Sequence, residues 1–183
     1  MDDWKAEERA HFLSLLQGEN KQTLLEIGAG PGRDSLFFKE QGLLVTCIDL
    51  SPKMIELCQQ KGIDAHIMDM AHLDFEQASF DAVYALNSFL HLPKDEFPVV
   101  LKNVCNVLNP NGLFFLGIYG GIEFEGIWEK DAYRPKRFFS FHSDENLKKA
   151  LVDTFEILYF KRIEFGKDQL SFQSTILRKR AGE

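Results

Sequence analysis

Residues 24–34, LLEIGAGPGRD, decide the fold. A short apolar run breaks into Gly28, Gly30 and Gly32, and a helical pattern then begins. A strand that turns through glycines into a helix lets backbone come close to a bound nucleotide at the helix N-terminus. The spacing narrows which nucleotide. The dinucleotide fingerprint, Gly-x-Gly-x-x-Gly, would place its third glycine where this chain has Arg33. Glu26 stands two residues before the first glycine. A carboxylate there is out of place beside a diphosphate and suits a cationic ligand. It can touch that ligand or orient the loop through backbone hydrogen bonds.

Outward from this loop, strands and helices alternate. Residues 23–28 predict a first strand and RDSLFFKEQ a helix, with Gly42 able to end it. LVTCID at 44–49 is a second strand. Ser51-Pro52 supplies an N-cap and a first-turn proline for KMIELCQQK, which stops at Gly62. IDAHIM predicts a third strand and FDAVYAL a fourth. Pro98 starts a further helix, with Leu101, Val104 and Leu108 at helical spacing. Asn109-Pro110-Asn111-Gly112 reads as a turn, and GLFFLGIY as a fifth strand covered on both faces. This alternation predicts βαβ units and a parallel sheet with its ligand edge beyond the strand ends. FEILYFKRIEF and LSFQSTILRK are separated only by a short loop around Gly166-Lys167-Asp168, too short for a parallel crossover, so these strands are antiparallel.

Bulk properties bound the function. The 183 residues suit a single domain, 1–183, with an ordinary hydrophobic share of 45%. A net charge of -7 argues against nucleic-acid or anionic-membrane partners. Arg178-Lys179-Arg180 reads as a solvated basic tail. No signal peptide or spanning run is visible. Cys47, Cys58 and Cys105 are dispersed and read as buried thiols of a reducing, cytoplasmic compartment. The partner expected is a small molecule, and the chain is expected to be a monomer or homodimer. His66, Asp69 and His72 could ligate a metal by spacing, but no further Cys or His cluster supports them, and no metal is expected.

Taken together, the chain resembles the class I S-adenosylmethionine-dependent methyltransferases. EIGAGPGRDS resembles their glycine motif, VTCIDLSPKMIELC the segment with the ribose acid, and HIMDMAHLDF the segment after the third strand. FDAVYALNSFLHLPKDEF and VLNPNGLFFLGIY resemble the fourth- and fifth-strand motifs. The resemblance implies an α/β, Rossmann-like, doubly wound fold: a seven-stranded, mostly parallel sheet with a reversed last strand and helices on both faces. It implies S-adenosylmethionine as cofactor, S-adenosylhomocysteine as product, and methyl transfer to a small acceptor. Glu26, Gly28, Ala29, Gly30 and Gly32 would form the loop, whose N–H groups suit the ligand carboxylate. Asp49 would accept the ribose hydroxyls, and Asp69 would meet the adenine amine beside Met70. Leu50 and Met54 would line the adenine or serve as core, and Ala85 and Asn87 would lie near the methionine end.

His91 follows the fourth strand and can be a base, a wall or a hydrogen-bond anchor. The Asn/Asp-Pro-Pro-aromatic signature of amino-methylating enzymes is missing, since the chain has Asn87-Ser88-Phe89-Leu90. Acceptor choice falls to two regions outside the cofactor motifs: an N-terminal helical cap at 1–20, and a substrate-side loop at 119–141. In that loop Tyr119, Trp128, Tyr133, Arg137 and Phe141 can line the acceptor pocket or simply pack the loop down. Two rivals remain: a non-catalytic S-adenosylmethionine binder and a nicotinamide oxidoreductase.

Overall fold

The computed structural model describes residues 3–166 and 170–180. Helix α1 (Asp3–Gly18) precedes β1 (Thr23–Ile27), α2 (Arg33–Glu40), β2 (Leu44–Asp49), α3 (Pro52–Gln60) and β3 (Asp64–Ile67). Then come β4 (Phe80–Leu86), α4 (Phe97–Val107), β5 (Leu108–Gly120), β6 (Phe124–Ile127), β7 (Phe138–Phe141), α5 (Asp144–Val152), β8 (Phe155–Ile163) and β9 (Ser171–Lys179). Seven strands form one sheet in the order β3-β2-β1-β4-β5-β9-β8. The pairs from β3 to β5 are parallel, and β9 runs antiparallel to both its neighbours. This is the expected reversed last strand. Of the short loop that joins β8 to β9, Lys167 and Asp168 lie outside the described residues, as do Met1 and Asp2 at the chain start.

The strand order places the site. From β1 the chain winds outward through β2 to β3, then returns to β4 on the other side of β1. Successive connections therefore diverge beyond the carboxyl ends of β1 and β4 and leave a crevice there. Alternate residues of each strand feed two cores. On one face Leu25, Val83 and Phe114 pack with Val100 and Leu101 of α4 and with Leu147 and Leu151 of α5. On the other, Leu24, Tyr84 and Phe115 pack with Phe12 and Leu16 of α1, Phe38 of α2 and Ile55 of α3. Tyr84 and Phe115 stack with ring centroids 4.7 Å apart. Truncating a fully buried phenylalanine such as Phe12 in such a core costs about 3–5 kcal/mol.

Several expectations need correction. The 119–141 segment is not a plain loop: β6 and β7 form a two-stranded antiparallel sheet within it. The Asn109–Gly112 turn sits inside β5. Phe80 pairs with Leu108 but Ala82 pairs with Leu113, so residues 109–112 loop out as a bulge with Asn111 at φ 60°. The basic end is no solvated tail. Arg178 and Lys179 belong to β9; Arg178 pairs with Glu19 at 2.6 Å, and Lys179, 3% exposed, donates to the Leu108 carbonyl at 2.9 Å. Only Arg180 extends past the strand, and its guanidinium still reaches the Val152 carbonyl. Ser51 stands at the N-cap of α3 with Pro52 following, but its hydroxyl makes no cap bond; its carbonyl accepts from Met54 and Ile55 instead.

Helix α1 is anchored to the sheet. Buried Glu8 accepts from Ser174 Oγ at 2.7 Å and from Lys161 Nζ at 2.8 Å. Arg9 reaches Asp34 of α2 at 2.5 Å and lies 3.7 Å above the Phe37 ring. The first turn of α1 reaches the end of β5 and the start of β9: Trp4 meets Phe172 at 4.5 Å, and Lys5 stands 5.5 Å from the Tyr119 ring centre.

Candidate functional site

The crevice at the strand ends holds a cleft of about 210 Å³. Ile27 and Gly28 reach it from β1, and Ile48, Asp49 and Leu50 from the end of β2. Met68 and Met70 follow β3, and Asn87, Ser88 and His91 follow β4. The local sequence explains this convergence. The parallel strands end on the same edge, so the residues after β1, β2, β3 and β4 are delivered to one place.

The glycine loop is a tightly bonded unit. Gly28 N–H and Ala29 N–H donate to the Ile48 carbonyl at 2.8 and 3.1 Å. Gly30 N–H donates to Asp49 Oδ2 at 2.8 Å, and Gly32 N–H to the Ala29 carbonyl at 3.0 Å. The expectation that the loop's own N–H groups receive a ligand carboxylate therefore fails for these four, because each already has an internal acceptor. What the loop offers is shape. Gly28 has φ 75°, and a Cβ there would fall 2.3 Å from Ser88 Cβ. Gly30 has φ 52°, and a Cβ there would stand in open space. Gly32 is buried against Cys58, whose thiol lies 3.4 Å from the Gly30 carbonyl.

Asp49 is the polar centre of the cleft. Oδ2 accepts from Gly30 N–H and Oδ1 from Ser51 N–H at 2.9 Å. Each oxygen keeps a further lone pair. Beside it Leu50 is 63% exposed at the cleft, an aliphatic chain with no protein covering it. Met68 and Met70 extend the apolar wall. Asp69, between them, is exposed and accepts from Ala71 N–H at 2.9 Å, which shapes the turn. Met54 is half-buried on α3 and Ala85 is fully buried in the sheet; neither lines the cleft.

Asn87 carries an unusual polar atom. Its backbone is left-handed at φ 57°, held by its N–H on the Gly117 carbonyl at 2.8 Å. Its side-chain Oδ1 is buried with no hydrogen-bond partner among the described residues. Buried acceptors of this kind are rare in native proteins, and at a cleft wall this one invites a donor from a ligand. Ser88, next to it, donates to the Ile27 carbonyl at 2.8 Å and closes β4 onto β1.

His91 sits in a short 3₁₀ turn with Nδ1 2.9 Å from the Phe138 carbonyl oxygen. A carbonyl only accepts, so Nδ1 carries the proton and Nε2 keeps its lone pair when the ring is neutral. The residue as a whole is exposed, but packing around the ring strips water from it, and Arg137 adds repulsion. Its pKa therefore lies below the ordinary histidine value despite the carbonyl bond.

Glu26 takes a different place from the cleft residues. It is 3% exposed on β1 and accepts from the Ser35 hydroxyl at the start of α2. Burial, reinforced by the charge of Asp34, raises its pKa to about 8. It ties β1 to α2 through the Ser35 hydroxyl. Among the described residues no three His, Cys, Asp or Glu side chains gather into a metal-binding group, and no helix is long and apolar enough to cross a membrane.

The acceptor-side candidates divide. Phe141 is 1% exposed, and Trp128 packs edge-on against it at 5.0 Å, so this pair builds the core beneath the β6–β7 sheet. Tyr119 packs against Phe172 at 5.5 Å. Tyr133 and Arg137 stay outside. Tyr133 is 65% exposed, with the Arg137 guanidinium 4.3 Å over its ring. Arg137 also lies 5.0 Å from the Phe139 ring, which His91 contacts at 4.7 Å. Sequence reasoning missed Ile27, Ile48, Met68 and Ser88 among the cleft-lining residues; each directly adjoins a residue it did single out.

The cleft thus has one accepting carboxylate, one open amide acceptor and an apolar wall, with no Lys or Arg among its lining residues. It suits a ligand with hydroxyls, an N–H donor and a flat apolar part, and it does not suit a diphosphate. The sequence matches the family described as a methyltransferase domain over residues 24–112. It is 31% identical to glycine N-methyltransferase of Rattus norvegicus, over 61% of this chain and 45% of the relative. It is 27% identical to a tRNA N(3)-methylcytidine methyltransferase of Schizosaccharomyces pombe, over 91% of this chain and 60% of the relative. The chain therefore spans less than two thirds of the length of these curated relatives. Among solved structures it resembles the 1,6-didemethyltoxoflavin-N1-methyltransferase of Burkholderia thailandensis with bound 1,6-didemethyltoxoflavin and S-adenosylhomocysteine. The two share 25% identity and a TM-score of 0.74, over 97% of this chain and 81% of that one. A SAM-dependent methyltransferase of Methanosarcina mazei shares the fold, with a TM-score of 0.77 at 22% identity over 88% of this chain and 93% of that one.

Proposed function

We propose that this chain, which belongs to the class I S-adenosylmethionine-dependent methyltransferase family, holds S-adenosylmethionine in the β1–β4 cleft and directs its methyl group to a small-molecule acceptor. The observation that carries the reading is the Asp49 carboxylate, fixed by two backbone N–H groups at 2.8 and 2.9 Å with lone pairs left for a diol. Asp49 would take the ribose hydroxyls, with Leu50, Met68 and Met70 along the adenine. Asp69 would meet the exocyclic amine by turning its unused oxygen. Asn87 Oδ1 would accept from the ligand's ammonium, and Gly28 and Gly30 would leave room for its passage.

When bound, the cofactor supplies a methyl carbon already activated by a positive sulfur. The protein's part is then to align the acceptor, keep water out and manage one proton. His91 Nε2, with its lone pair fixed by the Nδ1–Phe138 bond, would receive a proton from an acceptor hydroxyl or ammonium. An acceptor that arrives already deprotonated needs only the alignment.

The test is incubation with methyl-labelled S-adenosylmethionine and pooled small metabolites. Label is expected in at least one pool with the wild-type chain and in none with Asp49→Ala. Tight cofactor binding with no label in any pool would make the chain a non-catalytic binder.

A further inference from the structure

We propose that the turn joining β6 to β7 receives an anionic group on the methyl acceptor, with Arg137 as its anchor, so that the acceptor is a small carboxylate or phosphate ester. The proposal rests on the methyltransferase reading and adds the acceptor's class. Its first support is charge. The whole chain is at -7, yet residues 129–137 hold Lys130, Arg134, Lys136 and Arg137 against Glu129 and Asp131. Lys136 pairs with Glu129 and Arg137 with Asp131. Lys130 and Arg134 have no carboxylate partner among the described residues: Lys130 stands 5.9 Å from the Trp128 ring centre, and Arg134 donates to backbone carbonyls at 2.8 and 2.9 Å. Within residues 129–137 the bases therefore outnumber the acids, four to two.

The second support is the way Arg137 is held. Asp131, 7% exposed, takes Nε at 3.0 Å and Nη2 at 2.8 Å, which fixes one edge of the guanidinium. Tyr133 and Phe139 hold its faces. Nη1 makes no hydrogen bond among the described residues, and the side chain is 44% exposed. A guanidinium fixed along one edge is preorganised to meet a second oxyanion along the other. Phe139 also touches His91, which lines the cleft, so Arg137 and His91 pack against the same ring at the cleft's edge.

The experiment uses the full chain loaded with S-adenosylhomocysteine and calorimetric titration of four probes: benzoate, benzamide, phenyl phosphate and phenol. At least one anion is expected to bind about tenfold or more tightly than its neutral mate, as a charge-assisted contact implies. The preference should vanish in Arg137→Gln while S-adenosylhomocysteine affinity stays unchanged, and Arg137→Lys should restore only part of it. The two anionic arms tell carboxylate from phosphate. Equal binding within both pairs, no binding of any probe, or a preference that survives Arg137→Gln overturns the proposal. Failure of S-adenosylhomocysteine to bind the wild-type chain would instead remove the methyltransferase reading and this proposal with it.

Discussion

Asp49 at the end of β2 accepts a hydrogen bond from Gly30 N–H at 2.8 Å, so the acid proposed to hold the ribose also holds the glycine loop beside the cleft. One side chain thus links the second strand to the glycine turn and makes the cleft a single unit. Asp49→Ala removes the acceptor from two backbone donors and from the ribose. S-adenosylhomocysteine affinity should fall by more than about tenfold, since hydrogen bonds to a charged group contribute about 1.5–3 kcal/mol each. Both donors can turn to water at this part-exposed site, so the fold should survive. Calorimetry with circular dichroism checks both halves, and unchanged affinity would reassign the acid.

The first two glycines of the loop should respond differently to alanine. At Gly28 the new Cβ would meet Ser88 Cβ at 2.3 Å and threaten the Ser88–Ile27 bond. At Gly30 nothing lies within 4 Å, so only the left-handed backbone at φ 52° is penalised. Gly30→Ala should cost about 1–2 kcal/mol, and Gly28→Ala clearly more. Urea unfolding of the two variants gives the order, and equal losses would contradict the packing described.

Glu26 should make stability fall as pH rises. Its folded pKa is about 8, against an unfolded value near 4.5. Between those values the folded chain binds the extra proton, so stability declines by up to about 1.4 kcal/mol per pH unit, with no contribution to the slope below or above that window. Glu26→Gln keeps an acceptor for Ser35 but carries no charge. The variant should match the wild type near pH 4.5 and exceed it at pH 8. A gap that does not change with pH would show that Glu26 is ionised in the folded protein.

His91 should titrate below 6.5, and its neutral form should carry the proton on Nδ1. Nitrogen-15 NMR of the imidazole reads both properties. Arg137→Gln removes one of the causes of the depression, so the midpoint should rise in that variant. A midpoint above 6.5 in the wild type would contradict the crowded, cation-flanked setting.

Much of this was legible because the central strands are covered on both faces. Runs such as FDAVYAL and LVTCID have few alternative placements, and Gly42 and Pro52 bracket the second of them. The reversed β9 followed from a loop too short to cross over. The β6–β7 sheet was hidden because Phe124–Ile127 and Phe138–Phe141 are only four residues each, too brief for a period to show. Whether Phe141 and Trp128 line a pocket or pack the segment down stayed open, because composition does not tell which side of a short sheet faces the core. The bonded state of the Gly28, Ala29 and Gly30 N–H groups was invisible as well, since their acceptors, Ile48 and Asp49, belong to another strand. Arg178 and Lys179 read as a tail because their partners, Glu19 and Leu108, lie far away in sequence.

The central claim, that the β1–β4 cleft is an S-adenosylmethionine site, is tested most directly by thermal unfolding with S-adenosylmethionine, S-adenosylhomocysteine and NADH at matched concentrations. At about a hundred times its dissociation constant a ligand adds roughly 2.7 kcal/mol, a rise of about 5–10 °C for a domain of this size. The account predicts that rise with the two sulfur compounds and none with NADH, and its loss in Asp49→Ala. A rise with NADH alone, or no rise with either sulfur compound, would contradict it.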